Sequence, residues 1–186
     1  MSYKPDKSHS LDKIQVIDNF FSEEMIEKIV DYYRTLGWEC KCAIRPNVNI
    51  ETDVPFWRHE LIENDFFRVT LREEIDKYFG KKFKVNRIYS VGQTYEQNSN
   101  FHIDSSYPNN YTLCLYINEN TMEKDEGYFY IKLTKYTVAV NPLFNRAVFF
   151  PSDYVHKGTG TKEGFRICVA WKLEEIQENH KNDEIQ

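Results

Sequence analysis

Three residues in the second half of the chain have the types and spacing of a metal site. His102 and Asp104 are separated by one residue, and His156 follows 52 positions after Asp104 (156 minus 104). Side chains alternate between the faces of a strand, so His102 and Asp104 would point to the same side. Two imidazoles and one carboxylate around an open coordination face hold Fe(II) for chemistry with O2. The combination predicts a triad of iron ligands, although a lone His-x-Asp would not.

A fourth residue, Arg166, follows ten positions after His156 in the strand-like run Gly164-Phe-Arg-Ile-Cys-Val-Ala-Trp171. Its guanidinium is a planar donor fork that matches a carboxylate. The alternative is a buried arginine that pairs with a structural carboxylate. Beside a metal triad, we expect Arg166 to bind a carboxylate of a small cosubstrate.

Composition limits the classes of protein to consider. The chain has 186 residues, which suits a single domain over residues 1–186, and its content of 41% hydrophobic and 16% aromatic residues is that of a folded, β-rich protein. The net charge of −5 comes without a basic stripe, so we expect no nucleic-acid partner. No signal peptide or long apolar run is seen, which predicts no membrane partner, a cytoplasmic location and reduced cysteines.

The order of elements predicts an α+β fold. Residues 14–80 form a predicted helical support region, with one helix capped by Ser22 and a second over Asp65–Phe79. Between them, residues 38–60 look like a loop of lid length with room for short strands. Residues 81–173 form the predicted jelly-roll core, and residues 174–186 a polar tail. The candidate strands are Phe83–Val91, Phe101–Ile103, Tyr111–Asn118, Tyr128–Leu133, Tyr136–Val140, Ala147–Phe150 and Phe165–Leu173.

The stretch 86–172 resembles the prolyl 4-hydroxylase branch of the Fe(II)/2-oxoglutarate-dependent dioxygenases. The resemblance lies in Tyr89-Ser-Val-Gly-Gln-Thr-Tyr95, His102-Ile-Asp104, Thr112-Leu-Cys-Leu-Tyr-Ile-Asn118, Ala147-Val-Phe-Phe150, His156 and Arg166. It implies a double-stranded β-helix (jelly roll) with N-terminal helices packed on one sheet. The implied cofactor is Fe(II), with 2-oxoglutarate and O2 as cosubstrates.

The resemblance also assigns roles to individual residues. It implies that Arg166 and Tyr116 bind the distal carboxylate of 2-oxoglutarate and that Tyr89 lies near its metal-bound end. Tyr95 would face the acceptor substrate, and Trp57, in the loop that would roof the cleft, is a weaker acceptor candidate. For Tyr89, Tyr116 and Trp57, ordinary core packing is the alternative role.

The implied reaction is hydroxylation of a C–H bond, with a prolyl residue of a polypeptide as the expected acceptor and succinate and CO2 as products. Two alternatives stay open: the same chemistry on a small molecule or free amino acid, and a jelly-roll protein that binds metal without turnover. A nucleic-acid demethylase is disfavoured, because those relatives carry a second arginine where this chain has Lys172. The polar insertion 96–101 is a departure that leaves the acceptor open, and the sequence does not indicate an oligomeric state.

Overall fold

A computed structural model describes residues 9–41, 54–119 and 126–177. After a short 3-10 turn at Leu11–Lys13, the elements follow in chain order: β1 (Gln15–Ile17), α1 (Glu23–Arg34), β2 (Glu39–Lys41), β3 (Phe56–Glu60), a π-helical segment (Phe66–Thr70), α2 (Leu71–Phe79), β4 (Phe83–Gln93), β5 (Asn110–Tyr116), β6 (Phe129–Lys132), β7 (Thr137–Val140), β8 (Ala147–Pro151), β9 (His156–Gly158) and β10 (Arg166–Glu175). No helix in these ranges is long and apolar enough to cross a membrane.

The strands form two antiparallel sheets. The larger sheet has the order β1-β8-β5-β10-β4-β3-β2, and the smaller one has the order β7-β6-β9. Side chains from both sheets meet in one hydrophobic cluster, in which Phe129 and Ile131 of β6 join Tyr116 of β5 and Phe150 of β8. This two-sheet arrangement is the double-stranded β-helix that the sequence predicts.

Both helices pack on the outer face of the larger sheet, as expected. Ile29 of α1 and Ile75 of α2 lie in one buried cluster with Leu113 of β5 and Trp171 of β10. Because side chains alternate along a strand, Leu113 and Trp171 face the helices while their sequence neighbours face the space between the sheets. The indole Nε1 of Trp171 donates to the carbonyl of Phe67 at 3.2 Å, so this buried polar group is satisfied.

The ends of the helices follow local chemistry. The side chain of Ser22 accepts a hydrogen bond from the backbone N–H of Met25 at 3.3 Å, which confirms the predicted cap. Gly80 adopts the left-handed conformation (φ 61°) that ends α2. The predicted helix Asp65–Phe79 is observed as two parts, the π-helical segment followed by α2.

Several predicted boundaries differ from those observed. Residues 101–103 do not form a strand; His102 makes one isolated β-bridge with His156. β9, which the sequence did not predict, carries His156, and β10 runs on to Glu175, into the predicted polar tail. In the predicted loop 38–60, both ends are strands, β2 and β3, while residues 42–53 lie outside the described ranges, as do 178–186 of the tail.

Candidate active site

A cavity of about 370 Å³ opens between the two sheets. One face of β3, β4 and β10 supplies most of the cavity wall. The candidate triad forms part of the same wall. The described residues that line it are Phe56, Arg58, Arg87, Tyr89, Val91, Gln93, Ser99, His102, Ile103, Asp104, Cys114, Phe129, His156, Gly158, Arg166, Cys168, Ala170 and Lys172. The strand alternation therefore points a continuous row of polar side chains at one space.

His102, Asp104 and His156 come together in this cavity, each with one ligand atom within 4.8 Å of the others. The Nε2 atom of His156 lies 3.3 Å from Asp104 Oδ2, and the Nε2 atom of His102 lies 3.7 Å from Asp104 Oδ1. The backbones of the two histidines exchange hydrogen bonds of 3.0 and 2.9 Å. That reciprocal pair fixes the two imidazoles side by side although they are 54 residues apart (156 minus 102).

The other ring nitrogen of each histidine is held by a backbone carbonyl. His102 Nδ1 lies 2.9 Å from the carbonyl oxygen of Asn100, and His156 Nδ1 lies 2.8 Å from that of Tyr154. A carbonyl only accepts, so both Nδ1 atoms carry a proton, and Nε2 is the atom through which each imidazole would bind a metal. Burial, with the neighbouring His156, lowers the pKa of His102 to about 4, which favours the neutral form that binds metals.

Asp104 is held in its ionised form by two donors. Thr112 Oγ1 donates to Asp104 Oδ2 at 2.7 Å, and the Lys172 ammonium donates to the same oxygen. Burial alone would raise the pKa of Asp104, but Lys172 and His156 outweigh it and hold that pKa well below its ordinary value. The three groups chosen from the sequence are therefore two imidazoles and one ionised carboxylate, a donor set suited to Fe(II).

Arg166 occupies a tight cradle at the other end of the cavity. Its guanidinium donates to Gln93 Oε1, and a Cβ added at Gly158 would lie only 3.0 to 3.2 Å from the guanidinium nitrogens. The Arg166 guanidinium lies 4.9 Å from the ring centre of Tyr116. Burial raises the pKa of Tyr116 well above its ordinary value, so its hydroxyl is a proton donor.

Two atoms in this cradle are buried polar groups that lack a hydrogen-bond partner, Arg166 Nε and the Tyr116 hydroxyl. Such orphaned donors are rare in folded proteins and mark a place where a ligand accepts. The backbone of β9 advances only about 7 Å from His156 to Gly158, beside Arg166, which suits a short dicarboxylate between the triad and the arginine. The residues present therefore fit 2-oxoglutarate.

The structure places the cosubstrate candidate Tyr89 in the cavity wall, Tyr116 in the core beside Arg166, and both acceptor candidates outside the cavity lining. Tyr95 lies beyond the end of β4, is 63% exposed and does not line the cavity. Trp57 faces away from Phe56 and Arg58 on β3 and packs against Phe165, with ring centres 6.5 Å apart. Strand alternation explains why Trp57 does not line the cavity, because the residues on either side of it point into the cavity.

Sequence reasoning gave no role to three cavity residues, Arg58, Arg87 and Gln93, and it missed the contact of Lys172 with Asp104. Lys172 was noted only as a difference from nucleic-acid demethylases. The period of two along Arg166, Cys168, Ala170 and Lys172 carried the signal, since residues spaced by two share a face. For Arg58, the pairing of β3 with β4 had to be known first.

The fold and the site together define a double-stranded β-helix protein with a candidate 2-His-1-carboxylate centre. Residues 83–171 match the family model described as the 2OG-Fe(II) oxygenase superfamily. The match covers just under half of the chain, and the fold and the candidate site agree with it; members of that superfamily use Fe(II), 2-oxoglutarate and O2. A comparison with curated protein sequences finds no match.

Solved structures share the fold at low sequence identity. An oxidoreductase of the 2OG-Fe(II) oxygenase family from Burkholderia pseudomallei has 10% identity and a TM-score of 0.70, with 88% of this chain and 86% of that chain covered. A prolyl hydroxylase from Trichoplax adhaerens, in complex with a hypoxia inducible factor peptide fragment, has 14% identity and a TM-score of 0.68, with 88% and 84% covered. HygX from Streptomyces hygroscopicus, with nickel, 2-oxoglutarate and hygromycin B bound, has 11% identity and a TM-score of 0.62, with 87% and 82% covered.

Proposed function

We propose that this oxygenase hydroxylates a prolyl residue of a polypeptide and releases succinate and CO2. The observation that supports an active oxygenase most directly is the triad and Arg166 in one cavity, with two orphaned donors, Arg166 Nε and the hydroxyl of the adjacent, buried Tyr116. A protein that only stores a metal has no need for a second, buried carboxylate clamp. We therefore set aside the non-catalytic alternative.

In this proposal, His102, Asp104 and His156 hold iron through two Nε2 atoms and one carboxylate oxygen. Arg166 and Tyr116 bind the distal carboxylate of 2-oxoglutarate, with Gln93 as the residue that positions the guanidinium. Bound iron and 2-oxoglutarate supply the oxidation, in which O2 is consumed and one of its oxygen atoms enters a C–H bond of the acceptor.

The chain's own residues orient these groups and exclude water. Thr112 and Lys172 fix one oxygen of Asp104, so the carboxylate has a single orientation toward the two histidines. We assign Tyr89 to the wall near the metal-bound end of the cosubstrate, since it lies in contact range of Lys172, whose ammonium is 5.4 Å from the ring centre. Cys114 and Cys168 complete the wall between Arg166 and the metal side.

Two observations support a prolyl acceptor. The motif Tyr89-Ser-Val-Gly-Gln-Thr-Tyr95 matches the prolyl 4-hydroxylase branch, and the Trichoplax adhaerens prolyl hydroxylase with a bound peptide shares the fold. The cavity also opens beside β3, where an extended peptide would meet Phe56 and Arg58. Tyr95 and Trp57 are not part of the proposed acceptor contacts, because neither lines the cavity.

The proposal is tested by incubating the protein with Fe(II), 2-oxoglutarate and proline-containing peptide mixtures. We expect succinate release together with a 16-dalton gain on proline, detected by mass spectrometry. Protein with His102→Ala is the control, since it loses a ligand and keeps the buried pair of Lys172 with Asp104. Oxidation of free amino acids or other small molecules, with none on any peptide, would contradict the polypeptide acceptor and leave the oxygenase assignment in place.

The second candidate is the same oxidation on a small molecule. HygX, which shares the fold, is seen with hygromycin B bound, and a cavity of about 370 Å³ is in the usual range for small-molecule sites. Screening free amino acids beside the peptides separates the two candidates within one experiment.

We also propose that residues 1–186 act as one oxygenase domain in the cytoplasm. The support for the location is chemical: Cys114 and Cys168 lie on neighbouring strands in the cavity wall, and both are free thiols. Reduced thiols are typical of the cytosol.

A further inference from the structure

Three cationic side chains surround a single aromatic ring in the cavity. The guanidinium carbons of Arg87 and Arg58 lie 4.6 and 5.2 Å from the ring centre of Tyr89, and the ammonium of Lys172 lies 5.4 Å from it. All four residues line the cavity. The aromatic face favours cations, but one ring supplies only a modest share of the stabilisation that three of them require.

The strand register explains how the charges meet. Arg87 of β4 lies directly opposite Lys172 of β10, and Arg58 of β3 lies opposite Val91, two residues further along β4 on the face of Tyr89. Like charges directly opposite each other in a sheet are destabilising. Two such cations lie opposite each other and face the cavity, so the sheet concentrates positive charge there.

Among the described residues of the cavity lining, the carboxylates do not balance these cations. Lys172 is engaged by Asp104. Arg58 and Arg87 share the one carboxylate of Glu60: Arg58 Nη2 lies 2.9 Å from Glu60 Oε1, and Arg87 Nε donates to Glu60 Oε2 at 3.2 Å. Among the residues that the structure describes in the cavity lining, Asp104 is the one carboxylate.

The described lining around Tyr89 therefore has a surplus of positive charge, with three cations and one carboxylate, in a chain whose net charge is −5. Glu60, and Glu39, which lies opposite Arg58 on β2, are outside this lining. Water screens the arginine less than its partner, because the Arg58 side chain is 8% exposed while that of Glu60 is 48% exposed. A guanidinium so shielded from water keeps a strong attraction for an anion.

This surplus lies away from the proposed cosubstrate clamp. Arg166 and Lys172 are six residues apart on β10, which corresponds to about 20 Å along the strand. Arg166 therefore lies at one end of the cavity, and Arg87 and Lys172 lie at the other. Arg58 is between them along the sheet, opposite Val91, and its guanidinium extends to Tyr89. Because Lys172 donates to Asp104, the candidate metal centre lies near these cations. A molecule oxidised at the metal would extend toward these cations.

We propose that the acceptor carries a carboxylate close to the oxidised carbon, and that Arg58 and Arg87 bind it. This inference rests on the proposed oxygenase function and deepens it: in a polypeptide, the acceptor proline has an Asp, a Glu or the chain's own terminal carboxylate beside it. The planar fork of each arginine matches a carboxylate, as their hold on Glu60 already shows. Lys172 stays with Asp104 and adds to the local positive potential.

The test uses matched acceptors that differ by one charge. Peptides with Asp or Glu next to proline are compared with the same peptides carrying Asn or Gln, and free amino acids are compared with their amides. Hydroxylation is followed by mass spectrometry, and binding is followed by fluorescence anisotropy on protein loaded with Fe(II) and N-oxalylglycine without O2. We expect the acidic member of each accepted pair to have a KM and a Kd lower by about tenfold, or about 1.4 kcal/mol.

Variants locate the effect. Arg58→Gln and Arg87→Gln should each remove most of the preference for the acidic acceptor. Arg68→Gln is the matched control, since this arginine is 49% exposed and pairs with Asp65 on the π-helical segment. The KM for 2-oxoglutarate is measured in every variant, because a rise in that value without a change in acceptor KM would place the two arginines at the cosubstrate and overturn the proposal.

The outcomes separate this inference from the proposed function. Equal binding and turnover of acidic and neutral acceptors would overturn the carboxylate inference even if proline is hydroxylated. A strong preference for acids among free amino acids, with no peptide oxidised, would support the inference and contradict the polypeptide acceptor. A preference for acidic peptides that both arginine variants lose would support the two together.

Discussion

Replacing Lys172 with Met tests why a buried lysine lies against a candidate metal ligand. Met is of similar length and leaves the cavity wall filled, while it removes the ammonium. Asp104, whose side chain is 8% exposed, would then keep its charge with Thr112 as its remaining donor outside the triad. Removing one partner of a buried pair costs 3–5 kcal/mol. Lys172 is 17% exposed, so we expect about 3 kcal/mol for the metal-free protein.

The same change should cost far less once a divalent metal is bound. The metal supplies the positive charge that Asp104 loses with Lys172, so the ammonium and the metal are alternative partners for one carboxylate. For a chain of this length, each kcal/mol shifts the Tm by about 2–4 °C, so the Tm of Lys172→Met should fall by about 6–12 °C with EDTA. With saturating Mn(II), the fall should be less than half of that, and Mn(II) should bind the variant more tightly than the unchanged protein.

Thermal unfolding followed by circular dichroism, with EDTA or with Mn(II), measures both values. Lys84→Met is the control, because Lys84 and Glu174 form an ion pair in which both side chains are largely exposed, and its loss should cost less than about 1 kcal/mol in either condition. An equal loss of Tm with and without Mn(II) would refute the reasoning, since the ammonium and the metal would then not be alternative partners of Asp104.

Three further changes test the two ends of the cavity. His102→Ala or Asp104→Ala should abolish 2-oxoglutarate turnover while the far-ultraviolet circular dichroism stays the same; normal succinate release would remove the triad assignment. Arg166→Ala should raise the KM for 2-oxoglutarate by an amount equivalent to about 2–5 kcal/mol, and Arg166→Lys should raise it less, because the charge remains while the fork is lost; equal binding of N-oxalylglycine to Arg166→Ala and unchanged protein would move the clamp elsewhere. Gly158→Ala should also raise this KM, since its Cβ would press on the Arg166 guanidinium at 3.0 Å, whereas Gly37→Ala, with nothing within 4 Å, should leave it unchanged; the same KM for both alanine variants would contradict the cradle.

Local patterns in the sequence were enough to predict several features. The spacing of apolar residues predicted both helices, and the cap at Ser22 and the stop at Gly80 marked their ends. Alternation along β5 and β10 separated the helix-facing residues from the cavity-facing ones, which is why Thr112, Tyr116 and Arg166 share a side with the candidate triad. These features depend on the period of a strand or helix, which a single stretch of chain carries.

Other features depended on contacts between distant segments. The sequence did not predict that His102 would lie outside a strand and be aligned by backbone hydrogen bonds to His156, nor that Lys172 would reach Asp104. It placed Trp57 toward the acceptor, whereas the pairing of β3 with β4 turned its neighbours Phe56 and Arg58 to the cavity. Register decides these facings, and a shift of one residue reverses every side chain of a strand. The sequence was thus enough to identify the types of the groups at the site. The pairing of the strands decided which residues contact them and where the surplus of positive charge lies.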